Sequence, residues 1–144
     1  PVGREIGLDR VLSPWDTPPY GGSLIVVVAT DAPLIPAQCQ RLAQRATVGM
    51  ARAGGVGYNG SGDLFLAFAT GNHFPASAES LMDIKMIPHH HLQPIFEAVA
   101  EAVEEAILNS ITAAEATTGF NGHTAHELPL EELQRVMKMY RRVG

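Results

Sequence analysis

Gly22 and Ser23 lie where a proline-rich approach, Ser13-Pro14-Trp15-Asp16-Thr17-Pro18-Pro19-Tyr20-Gly21-Gly22, meets an apolar run, Ser23-Leu24-Ile25-Val26-Val27-Val28-Ala29. A serine hydroxyl can attack the carbonyl of the residue before it, turn that amide into an ester, and lose the upstream segment to water. The serine left behind carries a hydroxyl and an α-amino group on one framework. Because an α-amine has an ordinary pKa of about 7.7–8.0, it is partly neutral at physiological pH and can act as the base for its own hydroxyl. No separate histidine is then required. Gly22 suits the scissile position because it has no Cβ and leaves its carbonyl open to approach. A Gly-Gly-Ser turn leading into a buried strand would read the same way locally.

A second group of reactive side chains follows in Gly54-Gly55-Val56-Gly57-Tyr58-Asn59-Gly60-Ser61-Gly62-Asp63. The glycines do not match a phosphate-cradling loop, since no Lys-Ser/Thr follows them and the next segment has strand character. Ser61 and Asp63 are two apart, so in extended backbone they share one face and can serve a single site with a hydroxyl and a carboxylate. The alternative is a simple Asn-Gly-Ser turn.

Histidines are the competing chemistry. His89-His90-His91, with His73, His123 and His126, could offer imidazoles to a metal. Neighbouring residues point in different directions on either a helix or a strand, so the run supplies one ligand at most. Neither a metal nor any other cofactor is expected. The single cysteine, Cys39, excludes an internal disulfide framework and reads as a small apolar packing residue.

At 144 residues and 46% hydrophobic content, the chain can bury one core of ordinary size. The net charge of −5 comes from scattered acids and bases without a Lys/Arg run, so no nucleic-acid partner is expected. The longest apolar run, residues 24–29, is too short to span a bilayer, and no membrane partner is expected. The start at Pro1, with neither an initiator Met nor a signal-peptide pattern, reads as truncated or processed. The cytoplasm is the expected compartment, with the periplasm as the alternative.

The elements that must position these residues alternate between strand and helix. Residues 23–29 are β-branched and apolar without alternation, as in a central strand covered on both faces. Pro36 opens a helix to about residue 52, with Leu42, Ala46, Val48 and Met50 near one face, and Gly54-Gly55 stops it. Residues 64–69 form a second strand and 84–87 a short third one, ended by Pro88. Ile95, Val99, Val103, Ala106, Ile107 and Ile111 then recur at helical spacing through residues 92–118. Gly119 closes that helix, Asn121-Gly122 makes a turn, and a last helix spans 129–142, its acids first and its bases last.

Ser23-Leu24-Ile25-Val26-Val27-Val28-Ala29-Thr30-Asp31-Ala32-Pro33-Leu34 after Gly22, with Asn59-Gly60-Ser61-Gly62-Asp63-Leu64-Phe65-Leu66-Ala67-Phe68, resembles the self-cleaving serine aminopeptidases. These are the L-aminopeptidase/D-esterase family, which includes the β-peptidyl aminopeptidases. Ala114-Glu115-Ala116-Thr117-Thr118-Gly119, Asn121-Gly122-His123-Thr124 and Leu128-Pro129 resemble its C-terminal signature, and the resemblance covers nearly all of residues 20–142.

It implies an α/β, four-layer α-β-β-α sandwich of which this chain supplies the C-terminal half. Residues 1–22 would be the tail of an upstream α-subunit segment with the cleavage linker, and 23–144 the β-subunit part. It further implies an autoprocessing aminopeptidase or amidase that releases N-terminal residues from short peptides, amides or esters, β-peptides included, through a Ser23 acyl-enzyme. Gly22-Ser23 would be the cleavage site, with Ser61 and Asp63 supporting the new amine. Asp63 stands where some members carry Glu, one methylene longer. Oxyanion and pocket residues would come from the upstream segment, and the active form would be a homo-oligomer, a tetramer of αβ units. An ornithine acetyltransferase-like enzyme is the alternative, against which a serine nucleophile in place of threonine argues; a non-catalytic assembly module of the same fold is the other.

Overall fold

The computed structural model describes residues 22–142, so most of the proline-rich approach, with Trp15 and the Pro18-Pro19 pair, lies outside the described residues. The described residues form two units, 22–105 and 106–142.

In the first unit, β1 (Ile25–Thr30) pairs in parallel with β2 (Leu64–Ala69), in register from Ile25 opposite Leu64 to Thr30 opposite Ala69. Parallel neighbours need a crossover, and α1 (Pro36–Arg52) provides it. Both strands alternate between exposed and half-buried positions, with Val26, Val28, Phe65 and Ala67 on the covered side. The expectation of a strand covered on both faces is therefore corrected within this unit. Ile25, Val27, Leu64 and Leu66 are between 57% and 70% exposed, because α1 packs on the other face.

Pro36 takes the first turn of α1, where its missing N–H costs nothing. Gln38, fully buried, does what a capping residue would do: its Oε1 accepts the Ile35 N–H at 3.2 Å. Its Nε2 donates to the Ile87 carbonyl at 2.6 Å, tying the helix start to the 80s segment. The buried stripe of α1 runs Gln38, Leu42, Ala46, Gly49. Val48, placed by sequence near the inward face, is 43% exposed. Gly54, at φ 104°, carries the chain away from the helix end.

α2 (Gln93–Thr112) follows a single 3₁₀ turn, His89–His91. It meets α1 at Gly49, where a Cβ would lie 2.5 Å from the Ala100 carbonyl oxygen and 2.7 Å from Val103 Cβ. On one side of this close approach the Arg45 guanidinium lies 4.3 Å from the centre of the Phe96 ring, and Arg41 lies 5.1 Å from it. On the other, Arg52 pairs with Glu104 at 3.5 Å. The buried Leu34, Leu42, Ala46, Leu92, Val99, Ala100 and Val103 make the core.

The short strand expected over residues 84–87 does not form. Asn72 satisfies this backbone instead. Its Oδ1 accepts the Lys85 N–H at 3.0 Å, and its Nδ2 donates to the carbonyls of Lys85 and Leu34 at 2.9 and 3.3 Å.

In the second unit the long helix ends at Thr112, six residues short of the expected limit. Thr117–Thr118 forms β3 instead and pairs antiparallel with β4, Thr124–Ala125. Adjacent β-branched residues favour extended backbone, and the two threonine hydroxyls of Thr118 and Thr124 meet at 2.9 Å. Asn121 (φ 56°) and Gly122 (φ 78°) turn the chain between them. α3 (Leu130–Met139) begins with Glu131 and Glu132 and ends with Lys138, the order its dipole favours. It stops before the expected residue 142, and Arg141 already has φ 54°. Val136 is its buried residue.

Candidate active site

The N-terminal ends of β1 and β2 bring the two reactive stretches side by side. The last main-chain bond on this side runs from the Leu64 N–H to the Leu24 carbonyl, at 2.9 Å. Beyond it the strands stop pairing backbone to backbone, yet the chains stay together through three further hydrogen bonds. Ser61 Oγ donates to the Gly22 carbonyl at 2.9 Å, the Gly62 N–H to Ser23 Oγ at 3.0 Å, and Asp63 Oδ1 accepts the Leu24 N–H at 2.8 Å. Three consecutive residues of the loop thus clamp the three consecutive residues that contain the Gly22-Ser23 bond.

Each contact has a distinct chemical effect. A hydroxyl donated to a carbonyl oxygen draws electron density from its carbon, so Ser61 makes Gly22 a better electrophile and opposes an oxyanion's charge. An N–H donated to Ser23 Oγ fixes that oxygen's lone pairs and the direction of its own proton. The Asp63 carboxylate, a strong acceptor, anchors the main chain one residue downstream of the nucleophile. Ser23 itself is exposed, whereas Ser61 and Asp63 are half-buried.

Local sequence explains why the loop can do this. Gly62 is a glycine where a Cβ would stand 3.1 Å from Ser23 Oγ, closer than side chains ordinarily tolerate. Gly57, at φ 62°, takes a conformation closed to most residues beside the Asp63 carboxylate, and a Cβ there would lie 3.8 Å from Oδ2. The Tyr58 carbonyl accepts the Ser61 N–H at 2.7 Å, closing a four-residue turn that presents the Ser61 side chain.

Of the four residues singled out for cleavage and catalysis, Ser61 therefore meets Gly22 directly, Ser23 is met by the Gly62 N–H, and Asp63 reaches Leu24 rather than Ser23 itself. The Gly62 N–H is not legible in the sequence, because a main-chain donor has no residue type to betray it. The glycine between Ser61 and Asp63 was the available signal. In this uncleaved chain Asp63 engages the Leu24 amide. Among the described residues, no three of His, Cys, Asp and Glu come together as a metal site, and the His89–His91 run is an exposed turn. No helix of the described residues is long and apolar enough to cross a membrane. A groove of about 590 Å³ lies elsewhere in the first unit, against Leu34, Cys39, Phe65, Asn72 and Phe74, and includes none of the clamp residues.

Comparison with known proteins points the same way. Residues 1–125 match the model of peptidase family S58. The chain is 48% identical over 127 residues to the β-peptidyl aminopeptidase BapA of Sphingosinicella microcystinivorans, covering 88% of this chain and 32% of that one. Solved structures that share its fold include two aminopeptidases. The L-aminopeptidase D-Ala-esterase/amidase of Ochrobactrum anthropi, described as a prototype for the serine aminopeptidases and a variant among the Ntn hydrolase fold, matches at 39% identity and TM-score 0.77. That match covers 85% of this chain and 35% of the other. A Burkholderia sp. β-aminopeptidase matches at 41% identity and TM-score 0.80, over 96% and 38% of the two chains. The chain thus spans about a third of the length of these relatives, and its α/β architecture is theirs, in keeping with the expected sandwich. On sequence and fold together, the chain belongs to peptidase family S58.

Proposed function

We propose that residues 23–144 are the C-terminal part of a self-processing aminopeptidase or amidase with an N-terminal serine nucleophile, and that residues 1–22 end its upstream segment. The observation that carries this reading is the three-residue clamp on Gly22-Ser23. A loop built only to turn the chain has no need to donate a hydroxyl to the one carbonyl that precedes the serine.

Processing starts with Ser23 Oγ attacking the Gly22 carbonyl carbon while Ser61 holds its oxygen. The C–N bond breaks, the hydroxyl proton passes to the Ser23 nitrogen, and Gly22 is left as an ester on Oγ. Water then adds to that ester and releases Gly22 as a carboxylate. Ser23 is left with a free amine and a free hydroxyl. In turnover the amine takes the hydroxyl proton as Oγ attacks a substrate carbonyl, and returns it to the leaving amine. The Ser61 hydroxyl is then free to hold the new amine in place, and the Asp63 carboxylate favours its charged form.

The substrates that fit are short peptides, amides or esters with a free N-terminus. β-Peptides enter this set through the named activity of the relatives. The upstream segment supplies the remaining oxyanion donors and the pocket, and the working enzyme is an oligomer of such pairs. Serine rather than threonine at position 23 disfavours the acetyltransferase alternative.

Intact mass of the protein expressed with its upstream segment tests the proposal. A fragment beginning at Ser23, together with hydrolysis of aminoacyl p-nitroanilides, is expected. An uncleaved chain that hydrolyses none of them overturns it. Ser23→Ala should abolish processing and turnover together.

A further inference from the structure

Resting on that reading of Ser23, we propose that the main-chain N–H of Gly62 is itself a catalytic group: it aims Ser23 Oγ for attack and carries the negative charge on Oγ whenever that oxygen leaves. It donates to the reacting atom at 3.0 Å, in the uncleaved state and without any side chain between. A side chain at position 62 would crowd the same contact, since a Cβ there would come within 3.1 Å of Oγ. The backbone there is not in the left-handed region, so what a side chain at this position would meet is the hydroxyl and not a conformational bar.

The chemistry requires a donor at this point. When Oγ attacks, it loses its proton to nitrogen, and a neighbouring N–H makes the oxygen easier to deprotonate. The larger demand comes afterwards. In ester hydrolysis, water adds its oxygen to the acyl carbon, the C–Oγ bond breaks with both electrons going to Oγ, and water's second proton ends on that oxygen. Until the proton arrives Oγ is an alkoxide, a poor leaving group. Ser61, which donates to the carbonyl oxygen of Gly22, is committed to the other oxygen of the same intermediate. Gly62 is therefore the main-chain donor already in place on the departing one, joined by the Ser23 amine only once the C–N bond has broken. The two hydrogen bonds divide the labour: one serves the acyl oxygen, the other the seryl oxygen.

The test removes the donor alone, by incorporating glycolic acid at position 62 of the full-length protein so that an ester oxygen replaces the N–H. Self-cleavage followed by intact mass should slow by about 10²-fold. An ester at Ser23 should accumulate, revealed by hydroxylamine, which would release the upstream segment as its hydroxamate. Gly62→Ala keeps the N–H but crowds Oγ, and should also slow cleavage. The decisive comparison places the glycolic substitution in a Ser23→Cys background. A thiolate leaves without help from a donor, so the penalty should shrink there, whereas a merely structural disturbance would cost the serine and cysteine proteins equally. Cleavage of the glycolic and alanine variants at the wild-type rate, or an equal penalty in both backgrounds, overturns the inference. Failure of the unmodified protein to cleave at all would instead refute the underlying assignment of Ser23.

Discussion

Gly62 faces Ser23 at the same separation of 39 positions that pairs Leu64 with Ile25 in the parallel ladder. The clamp on the Gly22-Ser23 bond is thus a continuation of the sheet register, with side chains taking over where main-chain pairing ends. Three rungs follow from one register: Ser61 with Gly22, Gly62 with Ser23 and Asp63 with Leu24. Any slip of β2 against β1 would misplace all three together.

Ser61→Ala removes the donor on the Gly22 carbonyl while leaving the ladder intact. Self-cleavage should fall by about 10²–10³-fold, as for loss of one preorganised donor. Ser61→Thr, which keeps a hydroxyl, should recover part of the rate. Time courses of precursor and product bands measure both, and equal rates for Ser61→Ala and wild type would show that this hydrogen bond has no role in processing.

Asp63 joins two roles that one pair of variants can separate. Asp63→Asn keeps an oxygen to accept the Leu24 N–H, and Asp63→Ala does not. A hydrogen bond to a charged group contributes about 1.5–3 kcal/mol, so Asp63→Ala should slow cleavage roughly ten- to a hundred-fold. Asp63→Asn should process faster than Asp63→Ala. Its turnover should be poorer than its processing, since a neutral amide cannot favour the charged amine. Rates of cleavage and of aminoacyl p-nitroanilide hydrolysis, measured on the same preparations, decide this.

Gly49 sets the distance between α1 and α2, and a Cβ there would strike the Ala100 carbonyl and Val103. Gly49→Val should therefore destabilise the protein by about 1–3 kcal/mol through overpacking. Leu42→Ala, at a fully buried position, should cost about 2–5 kcal/mol by cavity formation instead. Urea unfolding of the processed protein, compared with wild type, measures both losses.

The open face of the sheet carries Ile25, Val27, Leu64, Leu66 and Phe68, from 46% to 70% exposed. A contiguous apolar patch of this kind on an isolated chain leads to self-association or dye binding. Expressed alone, the 144-residue chain should bind 8-anilinonaphthalene-1-sulfonate and aggregate with rising concentration. Joined to the upstream segment, it should do neither. Light scattering and dye fluorescence check this.

Much of this was readable from residue types. Pro36, the Leu42 and Ala46 spacing and the glycines after residue 53 mark α1, because helix starts, faces and ends have local chemical causes. The β-branched and apolar runs mark both strands. Residues 84–87 looked equally strand-like, yet Asn72 and Gln38, both distant in sequence, take up their polar groups. The helical spacing continues to residue 118, yet the helix ends at Thr112, and Thr117 and Thr118 have a partner strand that no local pattern announces.

For the site, the sequence by itself determined the reactive groups: a serine after a glycine, and a hydroxyl and a carboxylate two residues apart in a glycine-rich loop. Reactivity belongs to residue type, and type is written in the chain. Only the tertiary structure decided which of those groups meet, and through which atoms. Hydrogen bonds act over about 3 Å, while Ser23 and Gly62 are 39 positions apart in sequence. Their meeting therefore depends on the parallel register of β1 with β2, and the main-chain N–H that results is carried by every residue except proline.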